Sequence, residues 1–272
     1  MTPIRLVVSD IDGTLVDKSK QLTPATTDAV LRLEQAGVGF TVISARPRSG
    51  IMPIADTLGI DAPMAAFNGG IIFRRDGTVD EHHVVDPAVV RGVLDLAADQ
   101  KVDTWLFADD RWYASAEKGE HVAHERLASN QDPIVTDDFT PYIERADKIT
   151  FVSDDHALLK ALADRCAPAF GSRATIVQSQ VYYLDVTALA GNKGDGMIAL
   201  ARAFDQPLDA VAAIGDQFND VPMLERAGFA VAMGNAPDAV QALADAVTSG
   251  NDADGVAHAI DTLIFPRIGV SA

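Results

Sequence analysis

The segment Ile4-Arg5-Leu6-Val7-Val8-Ser9 runs directly into Asp10-Ile11-Asp12-Gly13-Thr14-Leu15, so an apolar stretch ends at two carboxylates and a glycine. A β-branched apolar stretch of this length is typical of a buried strand, and the glycine favours a tight turn after it. The two carboxylates would repel each other unless a proton or a cation lay between them. Mg²⁺ suits them, since it binds carboxylate oxygens, backbone carbonyls and water. Taken alone, the segment is equally compatible with a strand that ends in a polar turn.

The rest of the chain alternates short apolar segments with amphipathic segments, which is typical of a doubly wound parallel sheet with helices on both faces. The alternation stops between Asp86 and Val186, where paired short strands and interspersed helices predict an inserted α+β domain with helices on one side of its sheet. We therefore expect an α/β fold with a Rossmann-like core of residues 1–85 and 187–272 and an inserted cap of residues 86–186.

Three predicted parallel strands end at polar residues, which are Asp10, Ser44 and Asp216. Ligands of open α/β sheets bind beyond the carboxyl ends of the strands, so these residues should share one edge. Lys193 begins a predicted helix, whose first N–H groups favour an anion. Carboxylates, a hydroxyl, an ammonium and backbone donors suit a phosphoryl group, because its transfer depends mainly on positioning and charge neutralisation.

Four segments resemble, in the right order, the motifs of the haloacid dehalogenase superfamily of phosphoryl-transfer enzymes. The first is Asp10-Ile11-Asp12-Gly13-Thr14-Leu15, and the second is Ser44-Ala45-Arg46, where Thr-Gly-Arg is usual. The third is Asn192-Lys193-Gly194, and the fourth is Gly215-Asp216-Gln217-Phe218-Asn219-Asp220. The spacing is closest to that of the Cof-type hydrolases, and the resemblance extends from residue 10 to residue 220.

The resemblance implies an Mg²⁺-dependent phosphomonoester hydrolase that forms an aspartyl-phosphate and acts on a small phosphorylated metabolite, such as a sugar phosphate. Asp10 would be the nucleophile, and Asp12 the general acid and then the base. The metal would bind Asp10, Asp216 and the backbone carbonyl of Asp12, with Asp220 supporting the metal or pairing with Lys193. The groups that would bind the phosphoryl oxygens are Gly13, Ser44, Ala45, Lys193 and Asn219.

Two further residues, Arg46 and Asn68, would lie at the substrate rim, although a surface arginine and a turn asparagine are alternatives for them. Ser44 keeps the hydroxyl of the usual threonine but lacks the methyl group that fixes its rotamer. His121 and His124 could ligate a metal, but nothing else in the pattern supports this, and a solvated helix face is favoured. Trp105, Phe107, Trp112 and Tyr113 alternate as residues of a strand do and are expected in the core of the cap.

Two other functions use similar residues. A phosphomutase shares all four motifs but must exclude water and return the phosphoryl group to its substrate. A signalling receiver domain also places acids, a hydroxyl and a lysine around Mg²⁺, but receivers are much shorter and carry their phosphorylated aspartate on a later strand. The sequence of the cap does not specify which metabolite binds.

The composition of the chain limits the kinds of molecule that we expect it to bind and the compartment in which we expect it. The 272 residues are 48% hydrophobic, which is enough for a sizeable core, and no stretch approaches the 18 apolar residues of a membrane span. The formal charge of −17 argues against nucleic acid and anionic membranes. A single cysteine, Cys166, and the absence of a visible leader favour a reducing cytoplasm, with Cys166 as a core residue. The oligomeric state stays open.

Overall fold

The computed structural model describes residues 2–119 and 121–269. In chain order its strands are β1 (Leu6–Ser9), β2 (Gly39–Val42), β3 (Met64–Ala66), β4 (Ile71–Phe73), β5 (Val79–His82), β6 (Asp103–Ala108), β7 (Arg111–Ala114), β8 (Ile134–Val135), β9 (Ala146–Val152), β10 (Ala174–Gln180), β11 (Tyr183–Ala188), β12 (Val211–Gly215), β13 (Phe229–Ala232) and β14 (Ala246–Val247). Its α-helices are α1 (Pro24–Gln35), α2 (Arg48–Leu58), α3 (Pro87–Ala97), α4 (Val122–Ser129), α5 (His156–Phe170), α6 (Lys193–Ala203), α7 (Val221–Leu224), α8 (Asp238–Gln241) and α9 (Gly255–His258).

The central sheet is parallel, with five strands in the order β14-β13-β12-β1-β2. Alternate residues of β1 enter different cores, because Val7 packs into one hydrophobic cluster while Leu6 and Val8 pack into another. Period-2 alternation sends these side chains to opposite faces, so both faces of the sheet are buried. This arrangement confirms the predicted doubly wound α/β core.

A second, three-stranded sheet follows, in which β3, β4 and β5 pair antiparallel. The sequence pattern predicts a hairpin of residues 71–74 with residues 78–82, and β4 and β5 form it. It also predicts a third core strand at residues 64–67, which is present as β3 but is joined to the central sheet, among the described residues, only by a bridge between Ile43 and Ala65.

Six strands form a separate sheet, here called the cap sheet, in the order β10-β11-β9-β6-β7-β8. Its pairs are antiparallel except for β7 with β8, which are parallel. Helices α3 and α5 cover one face, whose residues include Leu106, Ile149 and Leu184, and Cys166 of α5 is buried in the same cluster. The exact limits of core and cap, at residues 86 and 186, stay a prediction.

The opposite face of the cap sheet packs towards the catalytic core. Trp105 and Trp112 are buried there, and the ring centroid of Phe107 lies 5.7 Å from that of Phe67 in the core. The predicted aromatic core of the cap is thus confirmed for these residues, but it is shared with the rest of the protein. Tyr113 is also buried, in the cluster beneath the helices.

Helices α2 and α4 bring the core and the cap into backbone contact. A Cβ atom built on Gly50 of α2 would lie 2.0 Å from the carbonyl oxygen of Ala128 in α4. Beside it, the Ser49 hydroxyl donates to the carbonyl of Ser129 at 2.6 Å, and Arg48 pairs with Asp110. The cap is therefore closed onto the core in this structure.

Three expectations from the sequence need correction. The helix expected around His121 and His124 is present as α4, but the short strands β8 and β14 were not predicted. The sequence pattern predicts a helix over residues 236–244, but only the four-residue α8 forms there. It also predicts a last helix near residues 254–264, which changes after α9 to a wider helical turn over Ala259–Ile264. Among the described residues, no helix combines the length and apolar composition needed to cross a membrane.

Candidate active site

Neighbouring strands deliver the predicted site residues to one edge of the central sheet. Strands β12, β1 and β2 lie side by side, and each continues into one of Asp216, Asp10 and Ser44. Lys193 is the first residue of α6, where the Asn192 side chain caps the helix by accepting from the N–H of Asp195. The structure therefore brings together the residues that the four motifs predicted.

Lys193 connects two carboxylates at the bottom of this edge. Its ammonium donates to Asp10 at 2.5 Å and also to Asp220, and its side chain is only 1% exposed. Burial alone would lower the pKa of Lys193, but Asp10 and Asp220 outweigh it and raise that pKa. Lys193 is therefore a fixed positive charge. The second oxygen of Asp220 accepts from the backbone N–H groups of Asp216 and Gln217, so both of its oxygens already have protein donors.

Asp216 lies beside this pair. Its carboxylate accepts from the Thr14 hydroxyl at 2.9 Å. A Cβ atom on Gly13, whose φ is +83°, would lie 2.4 Å from the same carboxylate, so a glycine is needed at this point of the turn. Burial and the nearby Asp220 raise the pKa of Asp216 to about 7.

Asp10, Asp216 and Asp220 place carboxylate oxygens within 4.8 Å of one another. Burial raises the pKa of Asp10 well above its usual range, and Asp220 and Asp216 act in the same direction against Lys193. The three buried carboxyl groups have only the ammonium of Lys193 to balance their negative charge. A hard divalent cation bound among them would supply the missing positive charge. Asp220 accepts from three protein donors, whereas Asp216 accepts from the Thr14 hydroxyl and, at 3.4 Å, from Asn235, and the side chain of Asp10 accepts from Lys193 alone among the described residues. Asp10 and Asp216 are therefore less engaged by protein donors than Asp220.

The side chain of Asp12 turns away from this cluster towards two cations. Arg46 binds it through two donors, at 2.7 and 2.8 Å, and Lys20 donates to it at 2.6 Å. Burial alone would raise the pKa of Asp12, but Arg46 and Lys20 outweigh it and hold the pKa well below its usual range. Arg46 is itself buried and also donates to the carbonyl of Gly50, so it is a structural partner of Asp12 rather than a surface arginine.

The remaining predicted residues form the floor around the second motif. The Ser44 side chain is buried and accepts from the N–H of Arg46 at 3.2 Å, and the carbonyl of Ser44 accepts from the N–H of Asn68. Asn219 donates to Asn68 at 3.4 Å, which joins the fourth motif to this floor. Asn68 has a φ of +58° and is buried, so it belongs to the interior of the site rather than to an exposed rim.

A cavity of about 80 Å³ lies above these residues and is enclosed by both parts of the chain. Its core wall includes Asp10, Asp12, Lys20, Ser44, Ala45, Arg46, Gln217 and Asn219. Its cap wall includes His124, Glu125 and Ala128 of α4 together with Lys148, Ser179, Gln180, Tyr183 and Asp185.

Several of these residues were missed by the sequence analysis. Lys20 lies in an irregular loop, and Glu125 lies in helix α4, which was expected to face solvent. A signal did exist for Lys148 and Asp185, since Lys148-x-Thr150 and Tyr183-x-Asp185 put polar residues on the strand face opposite the one that the helices cover. The prediction that His121 and His124 lie on a solvated helix face was wrong. His124 lines the cavity, and the ring of His121 stacks on that of Tyr182.

Comparison with known proteins identifies the family. A family model of haloacid dehalogenase-like hydrolases matches residues 7–260. The chain belongs to this family. Phosphatase YwpJ of Bacillus subtilis (strain 168) is 24% identical over 96% of this chain and 100% of its own length. Pyridoxal phosphate phosphatase YbhA of Escherichia coli (strain K12) is 26% identical over 94% of this chain and 97% of its own length.

Solved structures agree with this haloacid dehalogenase-like assignment. A haloacid dehalogenase-like hydrolase from B. subtilis superimposes with a TM-score of 0.86 at 26% identity, over 96% of this chain and 100% of that one. The predicted family and fold class are confirmed, and with them the assignment as a phosphatase. A non-enzymatic receiver domain is set aside.

Proposed function

We propose that this haloacid dehalogenase-like phosphatase hydrolyses the phosphomonoester of a small metabolite, with Mg²⁺ as its metal and a phosphorylated Asp10 as its intermediate. The observation that carries the proposal is the buried cluster in which Asp10, Asp216 and Asp220 share one ammonium. Asp10 and Asp216, with the backbone carbonyl of Asp12, would hold the metal. Bound there, Mg²⁺ would supply positive charge to the phosphoryl oxygens.

In the first step, a carboxylate oxygen of Asp10 forms a bond to phosphorus while the bond from phosphorus to the leaving oxygen breaks. The leaving oxygen takes a proton from Asp12. In the second step, water attacks the phosphorus, Asp12 takes a proton from this water, and the bond to Asp10 breaks. Ser44, Lys193, Asn219 and the backbone at Gly13 and Ala45 would bind the phosphoryl oxygens through both steps.

The contacts of Asp12 suit the second step directly, because Arg46 and Lys20 keep it ionised. To donate a proton in the first step, Asp12 must lose part of this stabilisation. The phosphate group of a substrate, which is itself an anion, competes with Asp12 for both cations. Arg46 and Lys20 are therefore positioning residues, whose contact with Asp12 sets its protonation state.

The test is the release of inorganic phosphate from small phosphate esters, including 4-nitrophenyl phosphate, with Mg²⁺ and after exhaustive chelation. We expect turnover that chelation abolishes and added Mg²⁺ restores. Asp216→Ala should raise the Mg²⁺ concentration needed for half-maximal activity, while the far-UV circular dichroism stays unchanged. Full activity after chelation would contradict the metal site.

A phosphomutase would use the same residues. The closed cap, with Gly50 against Ala128, supplies the exclusion of water that such an enzyme needs. Stoichiometric release of phosphate from a sugar phosphate without a bisphosphate primer would distinguish the hydrolase, whereas isomerised sugar phosphate without free phosphate would indicate the mutase.

A further inference from the structure

The cap wall of the cavity contains polar groups that have no partner in the protein. Glu125 is 6% exposed, and no hydrogen bond or ion pair reaches its carboxyl group from residues 2–119 and 121–269. The hydroxyl of Tyr183 and the Nδ1 atom of His124 are likewise buried without a partner among the described residues. All three groups belong to residues that line the cavity, and buried polar groups in native proteins are nearly always satisfied, so we expect an occupant of the cavity to provide a partner, above all for the Glu125 carboxyl group.

A buried ammonium lies on the same wall. Lys148 has a side chain that is 7% exposed, and it donates to the backbone carbonyl of Ala45 in the second motif at 3.2 Å. The nearest carboxylate oxygen, on Asp185, lies 3.9 Å away and also accepts from the Thr150 hydroxyl. Lys148 therefore keeps donor capacity for a ligand, next to the loop that carries Ser44.

We propose that Glu125 and Lys148 form the subsite for the leaving group and bind its hydroxyl groups, with Glu125 as acceptor and Lys148 as donor. This inference rests on the proposed function. A hydroxyl both donates and accepts, so it satisfies an unpartnered carboxylate and an ammonium on one wall. The contact of Lys148 with Ala45 places these hydroxyls close to the phosphate ester.

Other leaving groups fit less well. A cationic amine would meet Lys148, Lys20 and Arg46, and a second carboxylate would meet Glu125 and Asp185, so each would face like charges at short range. The cavity is also smaller than the ~300–1,000 Å³ typical of sites for drug-sized ligands, which favours a compact group. Burial raises the pKa of Glu125 to about 7 against the opposing effect of Lys148, as expected of a carboxyl group without a hydrogen-bond donor.

The experiment compares kcat/KM for three esters of similar size: glycerol 3-phosphate, O-phosphoethanolamine and propyl phosphate. The wild-type protein should prefer glycerol 3-phosphate to both others. Hydrogen bonds to charged groups are worth enough to predict a preference over propyl phosphate of about 10–100-fold. Equal rates for glycerol 3-phosphate and propyl phosphate, or a preference for the amine, would overturn the proposal.

Two substitutions assign the preference to the subsite. Glu125→Leu and Lys148→Met should each reduce the ratio of the glycerol to the propyl ester towards one, and should do so mainly through KM. The control is Glu144→Gln on the surface of the cap, which removes the same charge away from the cavity and should leave the ratio unchanged. If Glu125→Leu folds poorly by its melting temperature, the nearly isosteric Glu125→Gln replaces it and should shift the ratio in the same direction by less, because the amide keeps one acceptor oxygen but loses the charge. If Lys148→Met folds poorly, Lys148→Gln replaces it and should likewise lower the ratio.

Failure of the subsite and failure of the enzyme assignment give different results. If 4-nitrophenyl phosphate is hydrolysed but the Glu125 and Lys148 variants keep the wild-type ratio, the subsite is wrong and the phosphatase proposal stands. If none of the esters, including the aryl phosphate, releases phosphate in the presence of Mg²⁺, the proposed function itself fails.

Discussion

The two walls of the cavity differ in how their charges are arranged. On the core wall, each charged group has a protein partner: Asp10 binds Lys193 beneath the wall, and Asp12 binds Arg46 and Lys20. On the cap wall, the carboxyl group of Glu125 and the hydroxyl of Tyr183 have none among the described residues. The core wall is therefore organised before a substrate arrives, whereas the cap wall is completed by the substrate.

The difference assigns separate tasks to the two walls. A preorganised wall lowers the barrier of the chemical step, because its charges need no rearrangement in the transition state. A wall with unsatisfied groups discriminates strongly, because a substrate that lacks the matching group leaves them buried and unpaired. Substitutions on the core wall should therefore reduce turnover of all substrates, and those on the cap wall should change substrate preference.

The largest effect is expected from Asp10→Asn. The amide cannot act as the nucleophile, so phosphate release should fall about 10⁴-fold or more with every ester, whatever its leaving group. Asp28→Asn on the exposed face of α1 is the matched control. Turnover near the wild-type rate in Asp10→Asn would mean that the core wall does not supply the nucleophile.

Asp12→Asn should cost less and should depend on the leaving group. General acid–base catalysis is typically worth ~10²–10⁴-fold, and a sugar alkoxide needs the proton more than 4-nitrophenolate does. We expect the loss of kcat to be largest for alkyl phosphates and smaller for the aryl phosphate. Equal losses for the two kinds of ester would count against Asp12 as the acid.

Gly50→Ala tests whether the two walls must meet. The added methyl group would collide with the carbonyl oxygen of Ala128, so the cap could not close onto the core as observed. Misplacement of this size predicts a loss in kcat/KM of about 10²-fold for metabolite esters. The protein should remain folded, since alanine favours α2 by ~1 kcal/mol over glycine.

The control for this substitution is Thr57→Ala, which lies in the same helix on an exposed position. Thr57→Ala should keep a melting temperature close to that of the wild-type protein, whereas Gly50→Ala should unfold cooperatively at a lower temperature, because the collision with Ala128 disrupts the packing of α2 on α4. Wild-type kinetics in Gly50→Ala would show that turnover does not require this contact between α2 and α4.

The last expected effect is on stability and leaves the chemical step aside. The pKa of Glu125 is raised from 4.5 to about 7 in the folded protein, so the folded state retains a proton that the unfolded chain loses. The proton held by Glu125 therefore adds to the free energy of unfolding below about pH 4, and this contribution is lost as the pH rises through 7. Around Glu125, Lys148 and Arg46 oppose this shift, while Asp185 and Asp12 add to it.

Glu125→Gln removes this titration, so its free energy of unfolding should increase relative to the wild type by up to about 3 kcal/mol between pH 4 and pH 8. Urea unfolding at both pH values, with Glu144→Gln as the control, provides the measurement. A difference that does not change with pH would mean that a partner compensates the carboxylate in the folded state.

The central sheet and the core wall could be predicted from the sequence because both depend on local patterns. Apolar segments indicate the strands, and the polar residues at or just beyond the ends of β1, β2 and β12 must share an edge once the strands are parallel. Even the contact of Lys193 with Asp220 was among the expected alternatives. Arg46 was expected at the substrate rim, and its two hydrogen bonds to Asp12 depend on a tertiary contact that no spacing in the sequence indicates.

The cap wall could not be predicted in the same way. Glu125 reaches the cavity only because α4 packs on α2, and Lys148 only because the cap sheet turns its helix-free face towards the core. The packing of α4 leaves little periodic signal, since α4 is eight residues long. The alternation of polar residues around Lys148 is visible in the sequence, but polar residues on one strand face usually indicate solvent rather than a ligand.

The pairing of Lys20, Arg46 and Lys193 with carboxylates also affects how a substrate reaches the protein. Cations that already face an anion project little field beyond the cavity, and the chain as a whole carries −17. A phosphate dianion therefore diffuses towards a surface that repels it, most strongly at low ionic strength, where the Debye length is about 30 Å at 0.01 M. We expect the rate of encounter to rise as salt is added up to about 0.15 M, the opposite of an electrostatically steered enzyme.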